Sequence, residues 1–193
     1  NIGGTLGRLL AGAGHQVVLA NSRGPESLAG LVAEIGPAAT ASTPAGAAEA
    51  GEVVVVAIPF LRYPDLPAAE LSGKIVVDAT NYYEGRDGPF PGGESSSEVV
   101  AAALAGATVV KAFNTIHYRH LANDGVPAGT PGRRAIPIAG DDAAAKDTVA
   151  GLIDEIGFDT YDVGSLADGR RMEPGTPLFN VALTRDEVAA ALA

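Results

Sequence analysis

The feature that most constrains the fold is a series of short, uninterrupted apolar runs rich in β-branched residues. Residues 53–56 are four consecutive valines, and residues 75–77 read Ile-Val-Val. A strand that is covered on both faces has this pattern, whereas a half-exposed strand alternates apolar and polar residues. Runs of this kind predict strands at residues 16–20, 52–58, 74–79, 108–112, 134–139 and 159–163.

Segments rich in Ala and Leu separate these runs and predict helices. Local signals agree, because Pro25 suits a first helical turn, Gly14 suits a helix end, and Ser95 with Glu98 has the spacing of a capping box. The predicted helices cover residues 3–13, 25–35, 44–50, 67–71, 96–105, 142–156 and 185–193. Alternation of strands and helices predicts an α/β fold, a doubly wound Rossmann-type parallel sheet.

Composition excludes several classes of protein. The chain has 193 residues, of which 47% are hydrophobic, so it can bury the core of one compact domain. Its net charge of −10 argues against a nucleic-acid partner, since phosphate binding needs a positive surface. The absence of cysteine removes disulfides, thiolate catalysis and Cys-ligated metals. No apolar stretch is long enough to cross a membrane, and we expect a cytoplasmic protein.

The beginning of the chain has the pattern of half a dinucleotide-binding motif. Asn1, Ile2 and Gly3 lead directly into the first predicted helix, and a strand follows at residues 16–20. The complete motif reads strand, G-x-G-x-x-G, helix, strand. If Gly3 is the third glycine, we expect the first strand and the first two glycines to be missing from the chain as given. The helix N-terminus would then hold the pyrophosphate.

The residues after the strand at 16–20 bear on the choice of cofactor. An NAD site places Asp or Glu at this strand end, but here Asn21, Ser22 and Arg23 follow. Arg23 can stack on adenine and pair with a 2′-phosphate, while Ser22 and Ser27 can donate to the same oxygens. The sequence therefore predicts NADP. The alternative interpretation is a surface arginine in an ordinary turn.

The ends of the next two strands carry further candidates for the cofactor site. Ile58, Pro59 and Phe60 end one strand, at a place where Rossmann enzymes commonly pass the nicotinamide ribose, and Asn81 follows the next strand. Pro59 as a helix start and Asn81 as a turn former are equally good interpretations. The irregular stretches 80–95 and 113–133 also follow strands, where open α/β sheets build their ligand crevice.

No catalytic side chain and no metal site is predicted. No nucleophile lies beside a base, and no Glu or Cys completes a metal site with His117 and His120. Asp142 is better explained as a helix N-cap than as an acid or base. The only loose proton-donor candidates are Tyr82, Tyr83 and His117. Several cations form either a basic rim for anionic ligands or ordinary surface charge: Lys111, Arg119, Arg133, Arg134, Lys146, Arg170 and Arg171.

Six blocks in order resemble the coenzyme F420-dependent NADP oxidoreductases. The blocks are Asn-Ile-Gly-Gly at 1–4, Asn-Ser-Arg at 21–23, Ala-Ile-Pro at 57–59, Lys-Ala-Phe-Asn-Thr-Ile at 111–116, Ala-Gly-Asp-Asp at 139–142 and Asp-Val-Gly-Ser-Leu at 162–166. The block at 111–116 also resembles the reductase domains of the STEAP metalloreductases. Together the blocks extend from residue 1 to about residue 179.

The resemblance implies a Rossmann domain at residues 1–112 and a small C-terminal part at 113–193 that extends the sheet and closes the acceptor pocket. It also implies hydride exchange between NADPH and an 8-hydroxy-5-deazaflavin, coenzyme F420. Asn1, Ile2, Gly3, Ser22 and Arg23 fall on the NADP phosphate positions, and Ile58, Pro59 and Phe60 fall near the nicotinamide. Four residues fall on the deazaflavin side: Asn114, Thr115, Ile116 and Thr176.

Three hypotheses remain open at this point. The first is an oxidoreductase for NADPH and deazaflavin, which needs no catalytic side chain because two stacked rings can exchange hydride directly. The second is a reductase of another acceptor, such as a flavin, an imine or a quinone. The third is a non-catalytic NADP-binding sensor. All three imply small-molecule partners, and a homodimer is compatible with each.

Overall fold

The computed structural model describes residues 1–92 and 95–193; Gly93 and Glu94, which belong to the predicted loop 80–95, lie outside the described residues. The described strands form two sheets, one of two strands in the order β1-β2 and one of five in the order β3-β4-β5-β6-β7. The strands are β1 (Val17–Leu19), β2 (Ala39–Ala41), β3 (Val53–Val56), β4 (Ile75–Asp78), β5 (Thr108–Lys111), β6 (Ala135–Gly140) and β7 (Asp159–Gly164).

Helices connect these strands throughout the described residues. The α-helices are α1 (Ile2–Gly12), α2 (Ala29–Ile35), α3 (Pro44–Ala50), α4 (Ala68–Leu71), α5 (Glu84–Asp87), α6 (Ser96–Ala103), α7 (Tyr118–Asn123), α8 (Ala143–Glu155) and α9 (Arg185–Leu192). Short 3₁₀ helices are found at Pro25–Leu28, Phe60–Asp65 and Ala167–Met172. The predicted helix at 25–35 therefore begins as a 3₁₀ turn, and short helices interrupt both predicted irregular stretches.

The predicted α/β architecture is confirmed, including the extension of the sheet by β6 and β7. Each of the six predicted strands is present within one or two residues at either end. One expectation is wrong: β6 runs antiparallel to β5, whereas β1–β2, β3–β4, β4–β5 and β6–β7 are parallel. A continuous apolar run indicates burial on both faces but carries no information about strand direction.

Adjacent strand residues enter different parts of the core, which explains the uninterrupted apolar runs. Val77 and Val110 belong to a cluster with α1 and α8 residues such as Leu6 and Ile153. Val76 and Val109, one position earlier, belong to a second cluster that includes Phe60, Leu71 and Leu104. Successive side chains of a strand point to opposite faces, so helices cover the sheet on both sides.

Local signals define the ends of three helices. Ser95 accepts a hydrogen bond from Glu98 N, and the Glu98 side chain accepts from Ser95 N, which confirms the predicted capping box at α6. Asp142 accepts from Ala145 N and caps α8, as predicted. Gly14 follows α1 with φ +104, a conformation that glycine adopts without strain.

Candidate functional site

The N-terminus of α1 lies beside the end of β3. A Cβ built on Gly3 would lie 3.5 Å from Cβ of Ala57, in the segment that follows β3. Asn1 is the N-cap residue, its side chain makes no capping hydrogen bond, and the first turn contains no acidic residue. Asn1 is exposed, while Ile2 and Gly3 are half-buried. The first-turn N–H groups are therefore a suitable partner for an anion.

The turn after β1 is held by its own hydrogen bonds and leaves the Arg23 side chain exposed. Asn21 Oδ1 accepts from Arg23 N at 2.7 Å, and Asn21 Nδ2 donates to Ser27 Oγ at 2.8 Å. Ser27 Oγ in turn donates to Gly24 O at 2.7 Å. Ser22 and Arg23 are both exposed. Asn21 and Ser27 thus fix the turn, which presents Ser22 and Arg23 to solvent as candidate partners of a phosphate.

The segment after β3 places its three candidate residues at different depths. Phe60 is fully buried, and its ring centroid lies 5.3 Å from that of Tyr63 and 5.5 Å from that of Tyr82. Ile58 is half-buried and Pro59 is exposed as the N-cap of the 3₁₀ helix Phe60–Asp65. Phe60 supports this part of the site through the core, so Ile58 and Pro59 offer the surface that a ligand could touch.

Asn81 and Asn114 join the loops after β4 and β5 by a pair of amide hydrogen bonds. Asn81 Nδ2 donates to Asn114 O at 3.0 Å, and Asn114 Nδ2 donates to Asn81 Oδ1 at 3.2 Å and to Met172 O at 2.7 Å. Asn114 is 3% exposed, and its Oδ1 has no hydrogen-bond partner among the described residues. The bonds to Nδ2 orient the amide and leave its oxygen as a buried acceptor.

The remaining acceptor-side candidates lie in two neighbouring turns. Thr115 and Ile116 are buried after Phe113, whose φ of +63 is the left-handed conformation, which is unfavourable for a phenylalanine. Thr115 O accepts from Asn180 N at 3.0 Å, so the C-terminal segment packs on this turn. Thr176 is half-buried, and its hydroxyl donates to Glu173 O at 2.8 Å, within the same C-terminal segment.

A buried ion pair between β4 and β5 was not predicted. Asp78 and Lys111 are partners in the strand register, and both side chains are 0% exposed. Lys111 Nζ donates to Ser97 Oγ at 2.9 Å, with Thr80 O at 3.3 Å and Asp78 Oδ2 and Ser96 Oγ both at 3.4 Å. The sequence did contain a signal for this pair, because Asp78 and Lys111 are opposite charges at the ends of two apolar runs that predict buried strands.

The interpretation of the cations at 111–171 as a basic rim is wrong for several of them. Lys111 is fully buried, and Arg133 is buried against Asp154 and Asp159 at 2.6 and 2.8 Å. The side chains of Arg134 and Lys146 pair with Asp124 and Asp162 at 3.0 and 2.7 Å. The charges of these four cations are thus neutralised by neighbouring carboxylates and are not available to an anionic ligand.

The three loose proton-donor candidates have other contacts. Tyr82 donates its hydroxyl to Gly88 O at 2.5 Å, and burial, followed by the charges of Glu84 and Asp87, raises the pKa of this phenol. His117 Nδ1 accepts from Arg119 N at 3.3 Å as the N-cap of α7. Tyr83 is 40% exposed, and its ring lies against Phe179 and under the guanidinium of Arg86.

Within residues 1–92 and 95–193, no group of three or more His, Asp or Glu side chains is arranged to hold a metal ion. In the same residues, none of the helices combines the length and the apolar character that a membrane span requires.

The fold and the arrangement of its strand ends define a Rossmann-type α/β protein whose polar side chains gather at the carboxyl edge of the sheet, the edge where such folds bind ligands. Residues 1–82 match the family model described as NADP oxidoreductase, coenzyme F420-dependent. The metalloreductase STEAP3 of Rattus norvegicus is 36% identical over 172 residues, which is 88% of this chain. The chain spans only about a third (33%) of the length of that relative.

Two solved structures are similar over nearly the whole chain. A hypothetical protein from Sinorhizobium meliloti has 34% identity and a TM-score of 0.83, with 95% of this chain and 90% of that chain covered. An inferred F420-dependent NADP-reductase from Arthrobacter sp. fb24 has 29% identity and a TM-score of 0.74, with 94% and 96% covered. The chain thus resembles the coenzyme F420-dependent NADP oxidoreductases, by the family model over residues 1–82 and by the Arthrobacter structure over nearly its whole length.

Proposed function

We propose that the protein transfers a hydride between NADPH and an 8-hydroxy-5-deazaflavin, coenzyme F420. NADPH and the oxidised deazaflavin together take up one proton from solvent and give NADP⁺ and the reduced deazaflavin. When bound, the two cofactors supply the redox chemistry themselves, and the protein supplies binding, orientation and exclusion of water. The match of residues 1–82 to the family model and the similarity to the Arthrobacter protein support this acceptor.

The residues on the NADP side fit a phosphorylated dinucleotide. The N-terminus of α1, with Asn1, Ile2 and Gly3, is the proposed site of the pyrophosphate. Ser22 and Arg23 are exposed directly after β1, where no carboxylate precedes Glu26, so they are suited to a 2′-phosphate. Ser27 contributes by holding this turn.

The residues toward the reacting rings fit an orienting role. Ile58 and Pro59 offer surface in the segment after β3, and Phe60 supports them from the core. Asn81 acts through its hydrogen bonds to Asn114.

On the acceptor side, we assign the contact with the deazaflavin to Asn114, Thr115, Ile116 and Thr176. The buried Oδ1 of Asn114 is an acceptor without a partner among the described residues, and the imide N–H of a deazaflavin ring is a donor of the complementary type. Residues 113–193 would then form the part that closes the acceptor side, because the C-terminal segment contacts Asn114 and Thr115 through Met172 O and Asn180 N.

The observation that carries the proposal is that two of the three loose proton-donor candidates, Tyr82 and His117, are held by backbone groups. The hydroxyl of Tyr82 and Nδ1 of His117 are both bound to backbone groups, and the amides of Asn81 and Asn114 hold each other. Reduction of a carbonyl group or an imine calls for a side chain that delivers a proton at the reacting oxygen or nitrogen. Hydride exchange between two stacked rings depends on proximity and orientation instead.

The test is a turnover assay of the full-length protein with NADPH and either coenzyme F420 or a free flavin. We expect loss of NADPH absorbance together with reduction of F420 and a much slower reaction with flavin. Turnover with flavin, an imine or a quinone but not with F420 would refute the deazaflavin assignment and leave an NADPH-dependent reductase. Tight NADPH binding without turnover of any acceptor would identify an NADP-binding sensor.

A further inference from the structure

We infer that the buried Lys111–Asp78 pair positions the loop after β4, and through it the Asn81–Asn114 amide pair, for the hydride-transfer step. The inference rests on the proposed function for its effect on rate, but not for its effect on structure. Lys111 is thus assigned as a positioning residue, since it contacts other side chains and the backbone and not the reacting groups.

The first step of the argument is that the pair holds both backbone polar groups of Thr80. Asp78 Oδ1 accepts from Thr80 N at 2.9 Å, and Lys111 Nζ donates to Thr80 O at 3.3 Å. Asp78 also accepts from Ser97 Oγ at 2.5 Å, and Ser97 lies at the start of α6. The ion pair therefore ties the loop after β4 to β5 and to α6.

The second step is the connection from Thr80 to the candidate site. Asn81 follows Thr80 directly, and its side chain exchanges two hydrogen bonds with Asn114. A shift of the Thr80–Asn81 peptide would move Asn81 and would break or lengthen these bonds. Asn114 would then lose one of the two partners that orient its amide.

The third step is that stability alone is a poor explanation of this pair. Burial of two charges costs free energy that their attraction repays only with good geometry, and apolar residues of similar volume are often at least as stabilising. The Nζ–Oδ2 distance of 3.4 Å is long for an ion pair. The surrounding chain nevertheless leaves room for the lysine. Residue 169 is a glycine, and a Cβ at that position would lie only 3.1 Å from Lys111 Cδ, which is closer than ordinary van der Waals contact.

The experiment compares the double variant D78N/K111M with the wild type and with K146M. Lys111→Met alone would leave Asp78 buried and unpaired and could fail to fold, whereas the double variant removes both charges. Lys146→Met is the matched control, because it breaks a lysine–aspartate pair of 2.7 Å that is partly exposed and connects α8 with β7. The readouts are Tm, the Kd for NADPH, kcat with the acceptor, and the side-chain amide resonances of isotope-labelled asparagines.

We expect the double variant to keep a Tm close to the wild type and an unchanged Kd for NADPH, while kcat falls about tenfold or more, since small misplacements of positioned groups are costly. The amide resonances of Asn81 and Asn114 should shift, and those of Asn21 and Asn123 should not. Wild-type kcat with unmoved Asn81 and Asn114 resonances would overturn the inference. If no acceptor supports turnover, the proposed function fails, and the resonances alone still decide whether Lys111 and Asp78 position the amide pair.

Discussion

Arg23 is the residue on which the proposed preference for NADPH depends. Its backbone N–H is fixed by Asn21 Oδ1, and its side chain is exposed at the end of β1. Loss of a charge-assisted hydrogen bond costs about 1.5–3 kcal/mol, so Arg23→Ala should weaken NADPH binding roughly tenfold to a hundredfold and NADH binding much less. Titration calorimetry of both cofactors checks this, with the exposed Arg185→Ala as the control. Equal losses for NADPH and NADH would exclude a 2′-phosphate contact.

Single residues differ in how far their role follows from the sequence. Ser22 and Arg23 could be predicted as phosphate partners because the signal is local: they directly follow a strand, at the place where an NAD site has Asp or Glu. The pairing of Lys111 with Asp78 depends on which strands are neighbours and in which register, and 33 residues separate them along the chain. Charged residues are usually at the surface, so a buried pair of this kind is found only when the strand order is known.

At the scale of elements, the long apolar runs were predicted well and the short elements were not. β3 is four valines, β4 contains Ile-Val-Val and β5 contains Val-Val; these residues pack on both faces of the sheet, and this pattern is local. β2 is only Ala-Thr-Ala, and it forms a strand because β1 pairs with it in parallel register. The four-residue helix α5 lies between Tyr83 and Gly88, where no apolar periodicity is present to predict it.

Helix α5 carries a pH-sensitive contact that borders the candidate site. Asp87, whose side chain is 1% exposed, accepts from Arg86 Nε at 2.6 Å and from Tyr83 N at 2.9 Å. The bond from Arg86 is the main reason that the pKa of this carboxyl is lowered, and the bond from Tyr83 adds to it. Arg86 also donates to Asn81 O at 2.6 Å, so this contact supports the same loop as the Lys111–Asp78 pair.

The sign of the pH effect follows from the lowered pKa. The carboxylate stabilises the folded state at pH above its unfolded-state pKa of about 4, and this contribution is lost as the pH falls through the lower folded-state pKa. Denaturant unfolding of wild type and Asp87→Asn should therefore show a free-energy difference at neutral pH that shrinks below about pH 4. Asp147→Asn controls for the loss of one surface carboxylate. A difference that is constant with pH would contradict the assignment.

At the scale of the whole molecule, the two proposed parts share one core. The cluster that contains Leu6, Val77 and Val110 also contains Ile136, Ile138 and Ile153, which lie beyond residue 112. The backbone connection is weaker, since β5 and β6 are registered at only two residue pairs, whereas β4 and β5 are registered at four. Side-chain packing, more than the β-ladder, thus joins residues 1–112 to residues 113–193.

This shared core predicts a single cooperative unfolding transition of the chain. Ile138 is 2% exposed and lies in the C-terminal part, so Ile138→Ala should remove about 2–4 kcal/mol from the free energy of unfolding and shift the whole transition to lower temperature. Leu61→Ala, at a side chain that is 51% exposed, should change it by less than about 0.5 kcal/mol. Scanning calorimetry and near-ultraviolet dichroism measure the transition by independent signals. Two separate transitions, of which Ile138→Ala shifted only one, would mean that residues 1–112 and 113–193 are separate cooperative unfolding units.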